Sequence, residues 1–497
     1  MNWRVIWKSL KEKDMRNRIL AVIGILIVFR ILAQVPVPIA NAQTTHQILQ
    51  NLFNSKSSPQ LLSFINVLSG GALANFSIMI AGVGPYINAS IIMQLLTRAI
   101  PKLEALHKDG ESGQNKINQY TRILTFPLAI IQSIGSIFLI RQAASSISGA
   151  SSITANASLM QWILMVSALT GGSMLLMWLG ELITEQSIGN GISLIITVSI
   201  VSQLPYNIAS IVNSVGKKAN WVIFSHVKLP FSRTSFYYLI ITVGLILLVT
   251  YLVVMLNEAS RNLKVSYAKK VQGNRAYGGV TTTLPVKLIT AGVIPIIFAV
   301  AFLSVPSFIG QVLQGLHSVN LANLGIKLTT WFSAPTPTSF KTEGLDAYIY
   351  PVVYFLLVFL FTFFYTSISF NAQEIAENLD KQGGFIEGIR SGKQTEKYLS
   401  RVVNRLTLFG ALSLGILALM PIIAQIFIPV SITIGGTSIL ILVSVALQTL
   451  RAIESRAIMV TYDNYTDSGF FHDDEAIEPK TKKKLFGLFG KKNKFID

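Results

Sequence analysis

Long apolar runs recur along this chain, parted by polar loops that are either basic or rich in Ser, Asn and Pro. Crossing ~30 Å of hydrocarbon at ~1.5 Å per residue takes about 20 apolar residues. Ten windows reach or approach that length: Ile19–Val37, Ile78–Leu96, Leu124–Ile140, Leu159–Leu179, Gly191–Leu204, Tyr237–Leu256, Lys287–Ile309, Tyr348–Phe370, Leu406–Ile428 and Gly435–Leu450. The fifth is short and the second is interrupted. The pattern predicts an all-α polytopic membrane protein with ten transmembrane helices.

The interruption is informative. From Phe64 to Leu96 the chain reads FINVLSGGALANFSIMIAGVGPYINASIIMQLL, apolar but broken by Gly70, Gly71, Gly82, Gly84 and Pro85 and threaded with Ser, Asn and Gln. Unpaired backbone groups facing hydrocarbon are costly, so broken helices persist only where they line a water-filled cavity or pack inside protein. This stretch therefore reads as a pore or binding element.

Composition agrees with the pattern. With 51% hydrophobic and 13% charged residues and a mean hydropathy of +0.54, the chain lies outside the soluble globular range. No small-residue cleavage site ends the first window, which reads as a retained span. There is no cysteine, which excludes disulfides, thiolate catalysis and Cys-based metal sites. Of the 41 Lys and Arg, 32 fall within 1–18, 98–122, 257–287, 371–405 and 451–497, against 8 in the alternate loops. This positive-inside bias puts both termini in the cytoplasm, and an even number of spans agrees in keeping them on one side. The +18 charge is thus read as topology and attraction to anionic lipid headgroups, with a ribosome the one nucleic-acid-bearing partner in view. Basic residues with Trp3 and Trp7 before Arg18, and the tail KTKKKLFGLFGKKNKFID, both suit the membrane surface.

Catalytic signatures are thin. The five histidines, read as loop residues, show no metal-ligand spacing, and there is no GxSxG elbow, HExxH or Walker A lysine. Glu181 and Glu185 read as a solvated helix end, and Arg30, inside the first window, as a snorkelling side chain. Ion-coupled carriers normally place Asp, Glu or His at membrane depth, which argues against a solute transporter of the inverted-repeat type. An intramembrane enzyme would need a nucleophile–base or carboxylate pair there. The spans instead carry branched apolar pairs: Val83 and Ile87 about Pro85, and Ile192 and Ile196 after Gly189 and Gly191. Such i,i+4 pairs fit either plain core packing or part of an apolar constriction that gates by dewetting.

The runs LSGGALANFSI, GPYINASIIMQLL, GESGQNKINQYTR, MWLGELITEQSIGNGISLI, SYAKK, AGVIPIIFA, FNAQEIAENL, GFIEGIRSGKQTEKYL, RLTLFGAL and IGGTSILILV follow in this order. Together they resemble the SecY family, the pore subunits of the bacterial Sec protein-translocation channel, from about Trp3 to about Tyr462. The resemblance implies two pseudo-symmetric halves of five spans: 1–204, holding a plug at about 61–76, and 236–452, joined by an external hinge loop, 205–235. A basic cytoplasmic tail, 453–497, follows. It implies a plug that includes Leu68, Ser69, Gly70, Gly71, Ala72 and Leu73, and a hydrophobic pore ring of Val83, Ile87, Ile192, Ile196, Ile297 and Ile441. Asn88 and Gln94 would line a lateral gate formed by spans 2, 3, 7 and 8.

By the same resemblance, the basic loops 257–283 and 371–404 dock the SecA motor ATPase and the ribosome through Arg390, Arg261, Lys269, Lys270 and Arg275. Asn262 and Asn274 depart from the family pattern, standing where relatives often carry second basic residues. Implied partners are the SecE and SecG subunits of a heterotrimer, signal-sequence-bearing polypeptides and membrane lipids, with the YidC insertase and SecDF as further candidates. The expected protein is a non-enzymatic channel of the bacterial plasma membrane without cofactor or metal. A housekeeping role is favoured over an accessory one by the full motif set.

Overall fold

A computed structural model describes residues 13–38, 69–73, 75–148, 158–216, 221–223, 227–229, 233–267, 270–272, 275–277, 279, 281–314, 319–335, 340, 344–427 and 436–467. Each of the ten windows overlaps a helix. The first five are α1 (Lys13–Leu32), α2 (Gly84–Ala99), α4 (Glu111–Ser148), α5 (Leu159–Glu185) and α6 (Gly191–Gly216). The second five are α7 (Arg233–Glu258), α8 (Ile294–Gln314), α10 (Ile349–Ser369), α12 (Lys393–Phe427) and α13 (Gly436–Asp467). The short helices α3 (Pro101–Lys108), α9 (Val319–Phe332) and α11 (Ala372–Lys381) lie between them. Among the described residues, six helices are long and apolar enough to cross a membrane by length and composition. Lipid-facing side chains such as Ile123, Leu159, Leu247, Val352 and Phe409 are exposed, as they must be on a helix whose solvent is hydrocarbon.

Two predicted spans start late. The second window begins at Ile78, but α2 begins at Gly84; the seventh begins at Lys287, but α8 begins at Ile294. Both helices are preceded by Ala-Gly-Val with a left-handed glycine, Gly82 (φ +58°) and Gly292 (φ +60°). Pro85 and Pro295 then sit in the first helical turn, where the missing N–H has no partner to lose. Apolar residues ahead of each helix are buried in turns instead of wound into it. Elsewhere the helices overrun the windows. α6 passes through Pro205 to Gly216, so the expected hinge loop begins as helix, and the boundary at 452 falls within α13.

The two basic loops hold a second surprise. β3 (Ser260–Tyr267) pairs antiparallel with β6 (Thr281–Lys287) and with β7 (Gly384–Ile386), giving the sheet order β6-β3-β7. The loops read as separate docking segments are therefore joined through Val265, opposite Thr282 on one side and Ile386 on the other. Leu263, Val265, Val286, Leu379, Ile386, Leu399 and Val403 form a small core beneath the sheet. Between β3 and β6, β4 (Lys270–Gln272) and β5 (Arg275–Tyr277) form a hairpin; β1 (Trp221–Ile223) and β2 (Val227–Leu229) form another between α6 and α7.

Candidate functional site

One apolar core draws on nearly every long helix, and the branched pairs singled out in the sequence lie in it. Val83, Ile87, Ile196 and Ile441 are buried there, while Ile192 and Ile297 pack against it half-exposed. They come from four helices or the turns at their starts: α2, α6, α8 and α13. Beside them is a cavity of about 360 Å³ lined by Val83, Ile87, Ile297 and Ile441. An apolar void of this kind offers water few partners, which is what a dewetting constriction needs.

Asn88 also lines that cavity, with Gln132, Ser136 and Ser304 from α4 and α8. Gln94 does not: it lies further along α2, where its amide donates to Ser90 Oγ at 3.2 Å. Its Oε1 is buried with no hydrogen-bond partner. Ser69 joins the cavity lining. Ser69, Gly70, Gly71, Ala72 and Leu73 are all buried, in turns and not in a helix. They are tied down by Ser77 N donating to the Ala72 carbonyl and Phe76 N to the Leu73 carbonyl. A single β-bridge, Pro36 to Ser77, joins this segment to the end of α1.

Two charged residues behave unlike their sequence readings, and a third, Arg98, was not singled out. Arg30 does not snorkel: its Nη1 donates to the Gly70 carbonyl at 2.7 Å and to Ser202 Oγ at 3.1 Å. Glu181 is no free helix end, because Arg122 on α4 grips it at 2.8 Å through both Nε and Nη2. Arg98, at the end of α2, donates to the Ser367 carbonyl of α10 at 2.7 Å. It lines a polar cleft of about 1090 Å³ with Lys108 and His107 on one wall and Glu374, Glu377 and Glu396 on the other. His107 lies in α3, not a loop. Hydrogen-bonding to Lys108 holds the Glu104 carboxyl below the usual range. Among the described residues no group of His, Asp or Glu is placed to hold a metal.

On the platform side, Arg261 is exposed on β3 opposite Val286. Arg390 is exposed in a tight turn between Gly388 (φ +81°) and Gly392 (φ +86°), with Thr395 Oγ donating to its carbonyl at 3.0 Å. Lys270 pairs with Tyr277 and Arg275 with Gln272 across the β4–β5 hairpin.

The SecY family model matches residues 77–450. The chain belongs to the SecY family. Relatives named protein translocase subunit SecY include those of Streptomyces galbus, 39% identical over 92% of this chain and 98% of that one, and of Mycobacterium tuberculosis, 38% identical over the same shares. The fold matches a solved structure of a protein-conducting channel at TM-score 0.63 and 19% identity, over 92% of this chain and 96% of that one. Sec61 in the canine ribosome–channel complex matches at 0.58 and 18%, with the same coverage. SecY proteins are all-α polytopic membrane proteins and channel subunits, not enzymes.

Of the residues that the SecY resemblance points to, Leu68 and Lys269 lie outside the described residues, as do positions 61–67 and 74 of the expected plug, residues 1–12 and the tail from 468. Gln132, Ser304, Arg98 and the depth-buried role of Arg30 were missed. The signal for Gln132 and Ser304 was present: a polar residue in an apolar span pays for itself only beside a cavity or a partner.

Proposed function

We propose that this chain is the central subunit of a Sec translocon, conducting unfolded secretory polypeptides across the bacterial plasma membrane and releasing hydrophobic segments sideways into lipid. The observation that carries it is the convergence of Val83, Ile87, Ile192, Ile196, Ile297 and Ile441 from four helices on one apolar core beside a cavity. Branched apolar side chains grip a passing chain without binding it, and they offer ions no hydration when the passage is empty. On this reading Ser69–Leu73 belong to a plug, and Asn88, with Gln132 and Ser304, lines a lateral gate between α2, α4, α8 and α10. The halves are 1–204 and 236–452, and both termini are cytoplasmic.

The β6-β3-β7 platform supplies the docking surface, with Arg390 and Arg261 exposed on it, Lys270 and Arg275 in the β4–β5 hairpin, and Lys269 next to Lys270 in sequence. SecA and the ribosome are the partners that deliver the chain and the energy. SecE and SecG complete the heterotrimer, and YidC and SecDF are further partners. Opening is a two-state event in which a signal sequence parts the gate, the ring widens and the plug leaves.

The test is a trap. The chain is reconstituted with SecE, SecG and SecA, a secretory precursor is stalled midway, and a photoprobe is placed at Ile196 or Ile297. Crosslinks that need both ATP and the signal sequence are expected. Efficient translocation with no crosslink at either position would move the ring elsewhere.

A further inference from the structure

We propose that Arg30 is a clasp that holds the plug segment in the closed channel. This rests on reading Ser69–Leu73 as part of the plug. A cation in the last turn of α1, inside an apolar span, is expensive to keep at membrane depth, and such residues face the protein interior or a partner. Here the partner is main chain. Arg30 Nη1 donates to the Gly70 carbonyl at 2.7 Å, and also to Ser202 Oγ at 3.1 Å. Ser202 Oγ in turn lies 3.5 Å from the same carbonyl and 2.7 Å from that of Ser199.

The seat is shaped for two residues without side chains. Gly70 (φ +67°) and Gly71 (φ +89°) both lie in the left-handed region. A Cβ on Gly70 would meet Arg30 Nη1 at 3.0 Å and the Ser199 Cα at 3.2 Å, and one on Gly71 would overlap the Gln203 amide. Arg30 of α1 and Ser199, Ser202 and Gln203 of α6 therefore enclose the glycine pair from two helices. A charged donor on a carbonyl is about twice as strong as a neutral one in a medium of low dielectric. It is also given up when Gly70 moves, because Nη1 alone reaches that carbonyl, while its bond to Ser202 Oγ keeps the guanidinium on α6. That combination suits a closure that must hold at rest and let go on demand.

The test uses the full chain in its heterotrimer, in proteoliposomes. The sequence contains no cysteine, so Ala72→Cys, at a fully buried position next to the seat, gives a reporter free of background from this chain. Its modification by a membrane-impermeant maleimide from the outer side is timed in resting channels. Arg30→Met is expected to raise the rate about tenfold, equivalent to ~1.4 kcal/mol of seat stability. Arg30→Lys, which keeps the charge with fewer donors, is expected to fall between. An unchanged rate in Arg30→Met overturns the clasp. Should that variant fail to accumulate, Ser202→Ala and Gln203→Ala replace it, each expected to speed labelling severalfold; no change in both again overturns it. A stalled precursor in the parent channel separates the two readings. If threading exposes Ala72→Cys while Arg30→Met does not, only the clasp falls; if threading leaves it protected, the plug reading falls.

Discussion

Ala81-Gly82-Val83 ahead of α2 and Ala291-Gly292-Val293 ahead of α8 are the same three residues folded the same way. Both glycines are left-handed, at +58° and +60°. Both valine carbonyls accept from the amide four residues on, Ile87 at 3.0 Å and Ile297 at 3.3 Å. Those two isoleucines then line one cavity. What differs lies upstream. Before the first turn, the chain is irregular and buried, held by scattered bonds and the Arg30 guanidinium. Before the second stands a strand paired with β3 along its whole length. The turn fixes where each helix starts; on the plug reading proposed above, the fastening behind it decides whether the neighbouring segment leaves or stays.

The strongest way to break that comparison is to loosen the side described as fixed. Val265 is 1% exposed and pairs on both edges of β3. Val265→Asp would bury an unpaired carboxylate among Leu263, Ile386 and Leu399, a change expected to cost about 4 kcal/mol or more. Leu399→Ala, at a fully buried position, should cost about 2–5 kcal/mol by leaving a cavity. Limited proteolysis in inside-out vesicles is the measurement, since the platform would open first. Undiminished resistance in both variants would mean that the sheet is not what secures this side.

Next in size is the proposed ring of branched side chains. Replacing Ile192 and Ile441 together by Gly removes branched side chains that α6 and α13 contribute to the same core as Ile87 of α2 and Ile297 of α8. Resting ion conductance in a planar bilayer should rise about tenfold or more as the constriction wets. Conductance equal to the parent would remove these residues from the ring. Arg390→Glu is smaller and of a different kind. The side chain is exposed, so stability should stay within about 0.5 kcal/mol. SecA-driven export should nonetheless fall, and normal export would reduce this loop to a connector.

These contrasts also show what the sequence could reveal. Span positions were legible because hydrocarbon thickness is written into the length of an apolar run. Ile78–Val83 and Lys287–Val293 misled because burial in a turn and burial in a helix look alike in composition. The sheet was hidden for another reason: β7 is only Gly384–Ile386, and its partner β3 lies more than a hundred residues earlier, with no hairpin turn to announce the pairing. Arg30 and Glu181 were misread because a sequence gives a charge its depth but not its neighbour. Ser202 and Arg122 stand 172 and 59 residues away.

The finest test of the comparison asks whether the two turns are truly equal. A Cβ at Gly82 or at Gly292 would find nothing within 4 Å, so Ala at either position meets no clash. The cost is backbone alone, about 1 kcal/mol for an L-residue held left-handed, partly offset by a stiffer unfolded chain. Gly82→Ala and Gly292→Ala should therefore lower the thermal unfolding midpoint of the detergent-solubilised heterotrimer by similar, small amounts. Their effects on the resting channel should part company. Strain at Gly82 can be relieved by shifting the loosely held segment before it, which would raise labelling of a cysteine at position 72. Strain at Gly292 has no such outlet, because Val286 is 2% exposed and locked opposite Arg261 in the sheet. Equal labelling in both variants would mean that the upstream fastening does not govern how strain at these turns is released.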